Sequence, residues 1–354
     1  MRSMSEADEI FVLDTGSQDN TVQLLREAGA KVWEEKIVPW RFDVARNRSL
    51  ELVPEDTDIC VCTDLDEVFH PGWRKILETH WVPGTQQASY RYTWNFNADG
   101  SEGHVFWIDN IHARHGFEWR HPVHEVITWM EKGTLPQRIS IEGIQLDHHA
   151  DSSKSRSQYL PLLEMSVRED PTDDRNMHYL GREYMFRGRW DDSIATLKRH
   201  LTMPKATWSD ERCASMRYIA RCYEMKGDKK SAEAWYWRAI AEAPHLREPF
   251  MDLARLFYEQ KDWEGVRFLT GRALAIAQRP QTYICESESW GSLPWDLSAL
   301  ALFYTGQKRE ALAAAEQALQ ISPDNARLQE NVRRIRLALG EAPEDAMQSK
   351  SKTV

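Results

Sequence analysis

The chain has 354 residues, 45 of them basic and 55 acidic, for a formal net charge of -10. The length suffices for two domains, and the acidic balance argues against a nucleic-acid partner, which needs a basic surface. No apolar run is long enough to span a membrane and no signal peptide is visible, so a reducing cytoplasm is the expected compartment. The five cysteines, Cys60, Cys62, Cys213, Cys222 and Cys285, show no metal-ligand spacing.

Residues 10–13, Ile-Phe-Val-Leu, read as a strand running into a turn of small polar residues, 14–21. A helix over 21–28 places Val22, Leu25 and Ala28 on one face, with Gly29 as its stop. Val32 and Trp33 begin a second strand, and 45–52 is helical in pattern after Phe42-Asp43. The apolar run 59–63 then ends in Asp64-Leu65-Asp66. Residues i and i+2 of a strand share a face, so both carboxylates are expected to point at one ligand. Two acids beyond the end of a buried parallel strand suit a hard divalent cation bridging to phosphate, although such a pair also occurs in solvated loops and helix caps. The order βαβαβ is the grammar of a doubly wound nucleotide-binding sheet.

Three motifs carry a resemblance: Asp14-Thr15-Gly16-Ser17-x-Asp19-x-Thr21, Asp43-x-Ala45-Arg46-Asn47-x-Ser49-Leu50, and Asp64-Leu65-Asp66-Glu67. In this order and spacing they resemble family 2 glycosyltransferases of the GT-A fold, in the bacterial branch with tetratricopeptide repeats behind the catalytic domain. Glycopeptide-forming S-glycosyltransferases have a similar layout. The resemblance implies an inverting transferase, a nucleotide-sugar donor, usually a UDP-sugar, and Mn²⁺ or Mg²⁺. It implies that Asp66 mainly holds the metal, that Asp64 contacts ribose or a metal-bound water, and that Asp14 hydrogen-bonds the nucleobase. Thr15, Gly16 and Ser17 would shape the turn. Arg46 would pair with base or diphosphate, or else is a helix residue capped by Asp43.

The family begins with a strand and helix ahead of the segment that starts here at Glu9. The strand 10–13 is apolar throughout and implies neighbours on both sides, a place that polar residues 1–8 are not expected to fill. The sequence therefore predicts an incomplete or weakly active transferase domain.

Residues 90–96 alternate as a strand, and Val123-His124-Glu125 resembles an element of the same repeat-bearing branch. An inverting transferase needs a base near the acceptor. Glu125 is the candidate, with Asp109 and Asp147 as rivals and a structural ion pair with an arginine as the alternative. His148 and His149 follow another strand, 139–146, and His148 is either a third metal ligand or polar surface.

The second half repeats. Ala220 matches Ala254, Tyr223 matches Phe257, and Ala239 matches Ala273, each 34 residues on, the tetratricopeptide period. Flanking units carry Gly181 and Leu197 before these, and Ala311, Ala315 and Ala318 after them, with extra length around residues 279–295. Such arrays expose a concave face for a peptide or support dimerisation; the helices around Trp235 and Trp237 are expected to contribute to binding.

The expected architecture is an α/β GT-A domain with a Rossmann-like, mostly parallel sheet over 1–160. An all-α tetratricopeptide superhelix follows over 161–340, then a disordered tail over 341–354. The expected function is glycosyl transfer to a peptide, protein or glycan, with a possible homodimer through the repeats. The alternative is a non-catalytic protein-binding scaffold with a degenerate transferase domain. A nucleotidyltransferase would show a glycine-rich basic phosphate loop near its start, and none is visible.

Overall fold

The computed structural model describes residues 1–97, 100–150 and 157–341, so residues 342–354 of the expected tail lie outside the described residues. Two compact units form. The first takes in Met1–Asn176 and Gln281–Tyr283, the second Met177–Pro280 and the chain from Ile284 on.

The first unit runs β1 (Phe11–Asp14), α1 (Thr21–Glu27), β2 (Lys31–Glu34), α2 (Phe42–Glu51), β3 (Ile59–Val61), β4 (Glu67–Phe69), α3 (Trp73–His80), β5 (Gln87–Thr93), β6 (Val105–Ala113), β7 (Phe117–Arg120), β8 (Val126–Trp129), β9 (Arg138–His148) and α4 (Tyr159–Glu169). The opening follows the sequence closely. Asp19 accepts the Thr21 N–H at 3.0 Å as α1 starts. Gly29 ends it at φ +90°, a left-handed conformation open to glycine. β1 and β2 then pair in parallel, Phe11 opposite Lys31.

A mostly parallel, doubly wound sheet does not form. The five-stranded sheet has the order β3-β6-β5-β9-β4, and only β5 and β9 run parallel in it. The physical reason lies in the connections. β5 returns into β6 through a hairpin, bridged antiparallel at Phe96 and Glu102, and a hairpin return makes antiparallel neighbours. Among the described residues β1 pairs only with β2, and β3 only with β6. Each leaves one edge without a strand partner. The core lies between this sheet and α3, where Tyr90, Ile111, Ile141, Ile144 and Leu146 pack with Phe69, Trp73 and Leu77.

The polar start of the chain caps α3. Arg2–Met4 is a 3-10 turn that buries Met4 in the sheet core. Glu6 accepts the Gly72 N–H at 2.6 Å and the Arg74 N–H at 3.1 Å, and Trp73 Nε1 donates to the Ser3 carbonyl at 2.8 Å. The first N–H groups of a helix have no partner within it, and its positive end favours a carboxylate.

The second unit is a tetratricopeptide array: α5 (Asp174–Phe186, from Met177 on), α6 (Trp190–Leu201), α7 (Ser209–Met225), α8 (Lys229–Glu242), α9 (Glu248–Gln260), α10 (Trp263–Leu274), α11 (Leu293–Tyr304), α12 (Lys308–Ile321) and α13 (Ala326–Ala338). Helices pair in sequence, and the aligned alanines fall where helices touch: Ala220, Ala239, Ala254 and Ala273 are fully buried. The period also appears in the caps. Asp228 accepts the Ser231 N–H and Asp262 the Gly265 N–H, both at 3.0 Å, so α8 and α10 open identically 34 residues apart. Gly181 lets α5 meet α6, since a Cβ there would lie 2.5 Å from the Leu197 side chain. Trp235 packs into two repeat cores, whereas Trp237 is exposed. The extra length falls between α10 and α11, as the stretched spacing predicts, and contains a 3-10 turn, Ser287–Trp290. Among the described residues no helix is long and apolar enough to cross a membrane.

Candidate functional site

Three stretches of the first unit meet at Arg46, on α2. Its Nε donates to Glu125 Oε1 at 2.5 Å and its Nη2 to Asp64 Oδ2 at 3.0 Å, partners 79 and 18 residues away. The guanidinium lies 4.7 Å from the Trp119 ring centre, a cation–π contact. The side chains of Arg46, Glu125 and Asp64 are 22%, 11% and 52% exposed. Burial works against the arginine charge, but Asp64 and Glu125 outweigh it and hold Arg46 charged well above its usual range. Asn47 fixes the helix beside it by exchanging two 2.8 Å bonds with the Trp119 backbone. Asp43 does not cap Arg46. It pairs with Arg41 at 2.8 Å, and Arg41 pairs with Glu169 of α4 at 2.6 Å.

Glu125 ends the five-residue turn between β7 and β8, where it forms an ion pair with Arg46. The turn is strained: His121 has φ +81° and His124 φ +52°, conformations costing non-glycine residues on the order of 1 kcal/mol each. It is held by the Phe42 N–H, donated to the Pro122 carbonyl at 3.1 Å, and by His121 Nε2, 3.3 Å from Asp173. Nothing in the local sequence signals this strain.

Asp64 and Asp66 do not project from one face of a strand. β3 stops at Val61, and the Glu67 N–H bonds the Asp64 carbonyl at 3.2 Å, closing a turn around Leu65 and Asp66. Glu67, quoted in the motif without a role, is the hub of this turn. It accepts from Thr63 Oγ1 at 3.0 Å, the Asp64 N–H at 2.8 Å and Tyr92 Oη at 2.8 Å. Burial, and then the Asp64 charge, push its carboxyl above the usual range.

Asp66 and His148 approach each other, with Nε2 3.8 Å from Oδ2. His148 Nδ1 bonds the Trp94 carbonyl at 2.9 Å and its ring stacks on Trp94 at 4.5 Å. A proton on Nδ1 leaves the Nε2 lone pair directed to the Asp66 side, the arrangement of a metal-ligating imidazole. The His149 N–H fixes the Asp66 carbonyl at 2.7 Å. A carboxylate oxygen and an imidazole nitrogen this close are donors of the kind a divalent cation accepts. Asp64 is engaged by Arg46 instead, and Asp64, Asp66 and His148 do not form a cluster with all donor atoms within 4.8 Å.

Asp14 closes the first turn. Its Oδ1 accepts the Gly16 N–H at 2.9 Å and the Ser17 N–H at 3.0 Å, and Gly16 has φ +126°. Burial raises the Asp14 carboxyl, but the Ser17 hydroxyl and the two N–H groups together pull it below the usual range. Of the rival bases, Asp109 accepts from Ser89 Oγ, and Asp147 lies 2.8 Å from His70 Nε2 and from Gln145 Nε2.

Beneath the site Cys62 Sγ lies 3.5 Å from His112 Nε2. Burial pushes the Cys60 and Cys62 thiols up to about 11 and about 12, so neither is a nucleophile at neutral pH. Burial also lowers His112 to about 4. The folded chain then holds His112 neutral where the unfolded chain protonates it. Its contribution to stability falls as pH drops from about 6.5 to about 4, by about 3 kcal/mol in all. Glu67, shifted upward, acts in the opposite sense. The His112→Gln variant is therefore expected to show a smaller loss of stability between neutral and acid pH than the parent protein. Thermal melts across that range check this, and parallel pH slopes in the two proteins would refute it.

No protein-family model matches the sequence, and no curated protein does. Similar solved structures are helical repeat proteins. MamA is 17% identical, with 48% of this chain and 83% of that chain covered and a TM-score of 0.36. YrrB, described as a TPR protein with an unusual peptide-binding site, is 12% identical over 52% and 87%, with a TM-score of 0.41. The C-terminal part of a TPR repeat-containing protein from Cytophaga hutchinsonii is 11% identical over 52% and 66%, with a TM-score of 0.43.

Proposed function

We propose that this chain is a polypeptide-binding repeat protein whose first unit transfers a sugar from a nucleotide sugar, UDP-linked by preference, to the polypeptide that the repeats hold. The observation that carries the transferase half is the meeting of Arg46, Asp64 and Glu125, residues of three separate motifs, at one partly exposed point. Asp14, kept ionised by its turn, accepts a hydrogen bond from a nucleobase. Arg46 is the anion receptor. An arriving diphosphate competes with Glu125 for the guanidinium, and the freed carboxylate takes the proton of the attacking acceptor. Asp66 and His148 would hold a divalent cation, which would supply neutralisation of the charge on a departing diphosphate.

A second reading, a non-catalytic scaffold, is favoured by the same ion pairs, since Arg46 neutralises both Asp64 and Glu125 when no substrate is bound. Calorimetry of the full chain against a panel of nucleotide sugars, with and without Mn²⁺, separates the two. Asp66→Asn is expected to lose Mn²⁺-dependent binding and turnover while keeping the fold. Normal donor hydrolysis by this variant in Mn²⁺ removes Asp66 from the metal site. Binding of no nucleotide sugar by the parent protein leaves the scaffold reading.

A further inference from the structure

Between α10 and α11 the chain does not turn directly back. Part of this insert lies against α7 and α9, the first helices of the two preceding repeats. Glu286 is its fixed point. The carboxylate accepts Arg217 Nη2 and Arg221 Nη2, each at 2.7 Å, and Arg221 Nη1 at 3.2 Å. The backbone N–H of the same residue donates to Glu248 Oε1 at 3.0 Å. Four residues on, Trp290 Nε1 donates to that Glu248 oxygen at 3.0 Å, and the Arg247 guanidinium covers the indole at 4.2 Å.

The rest of this site comes from the repeats. Arg217 is 2% exposed, and both arginines share one acid on α9, Asp252, at 2.8 and 2.9 Å. Asp252 is the one repeat carboxylate hydrogen-bonded to the two largely buried guanidiniums, with Glu248 a further negative charge near Arg217, and Glu286 supplies a second hydrogen-bonded anion. Against the cost of its burial, the two arginines hold the Glu286 carboxyl down to about 2. Glu248 is 1% exposed, and the N–H donors to its Oε1 come from the insert, Glu286 and Trp290. What is recognised is thus a carboxylate, the backbone N–H of the residue bearing it, and an indole four residues later. A small anion has only the first of these.

We propose that α7 and α9 form a recognition site for an acidic peptide segment with Glu-x-x-x-Trp spacing, that residues 284–291 occupy it in cis, and that a segment of this chemistry on a partner polypeptide takes their place when they leave. The proposal extends the polypeptide-binding half of the reading above and does not depend on sugar transfer. The insert is anchored by Ile284 and Cys285, both buried. An outside peptide meets an open site only for the fraction of time the insert is away, and its apparent affinity falls by that fraction.

The probe is a fluorescent peptide with this chain's own sequence over 284–291, serine replacing the cysteine. The full chain carrying Glu286→Gln and Trp290→Ala is the opened form. It is expected to bind the peptide at least about tenfold more tightly than the parent. Adding Arg221→Ala, or using a peptide with glutamine in place of the first glutamate, is expected to abolish binding. No saturable binding by the opened form below about 1 mM, or equal binding of the glutamate and glutamine peptides, overturns the proposal. Should the opened form not fold, the parent protein decides. Excess peptide is expected to accelerate hydrogen exchange over 284–291, and unchanged exchange overturns the site. A polypeptide that binds the parent and is not displaced by the probe leaves general polypeptide binding standing while this site falls.

Discussion

Replacing Arg46 by alanine is expected to destabilise the first unit by about 3 kcal/mol, the low end for breaking a buried ion pair, because Asp64 keeps access to water while Glu125 does not. The damage should be local in its first appearance. Arg46 is the charge that lets Glu125 sit 11% exposed at the end of a turn containing two left-handed histidines. Hydrogen exchange is therefore expected to accelerate first over 121–126 and along α2, while the repeats keep their protection. Arg46→Lys restores the charge but not the two-armed reach or the flat contact on Trp119, so partial rescue is expected. Full stability in the alanine variant would mean that Glu125 finds another partner, and the ion-pair account of the turn would be wrong.

Glu125→Gln is expected to slow sugar transfer at saturating donor by about two to four orders of magnitude, the range for a lost general base, while donor binding tightens, because a neutral amide competes less than a carboxylate for Arg46. Glutamine keeps an acceptor oxygen for Arg46, so fold and donor site should survive, and the change isolates proton transfer. Initial rates at saturating donor, beside donor binding by calorimetry, check both halves. Unchanged transfer would pass the role to Asp109 or Asp147, which in the resting structure are bonded to Ser89 and His70.

What the sequence revealed and what it hid divide along the range of the interactions. The turn 14–21, the α1 stop at Gly29 and the repeat caps at Asp228 and Asp262 are set within a few residues, and a local pattern exposes them. The buried alanines follow a fixed period for the same reason. Sheet direction is not local. β3 has three residues and takes its antiparallel partner from β6, some fifty positions later, so an apolar run alone could not distinguish this from a parallel strand. The N-terminal residues looked featureless because Glu6 caps a helix 66 residues away. Trp235 looked like a binding surface because a tryptophan on a repeat helix carries no mark of whether it packs or protrudes. Of the candidate site, the motifs identified the residues that converge, but not that Arg46 closes Glu125 and Asp64 together. Nor did they show Glu67 as the turn's hub, since its hydroxyl partner Tyr92 is 25 positions on.

The clasp at Glu286 also bears on how the array comes apart. In a linear stack each repeat touches only its neighbours, so melting can begin at an end and travel inward one repeat at a time. Residues just ahead of α11 gripping α7 join the fourth helical pair to the second. Fraying that starts at α13 meets a cross-tie, and the repeats from α7 to α11 should be lost together in one sharp transition instead of in steps. The insert thereby turns part of an additive chain of modules into a single cooperative block.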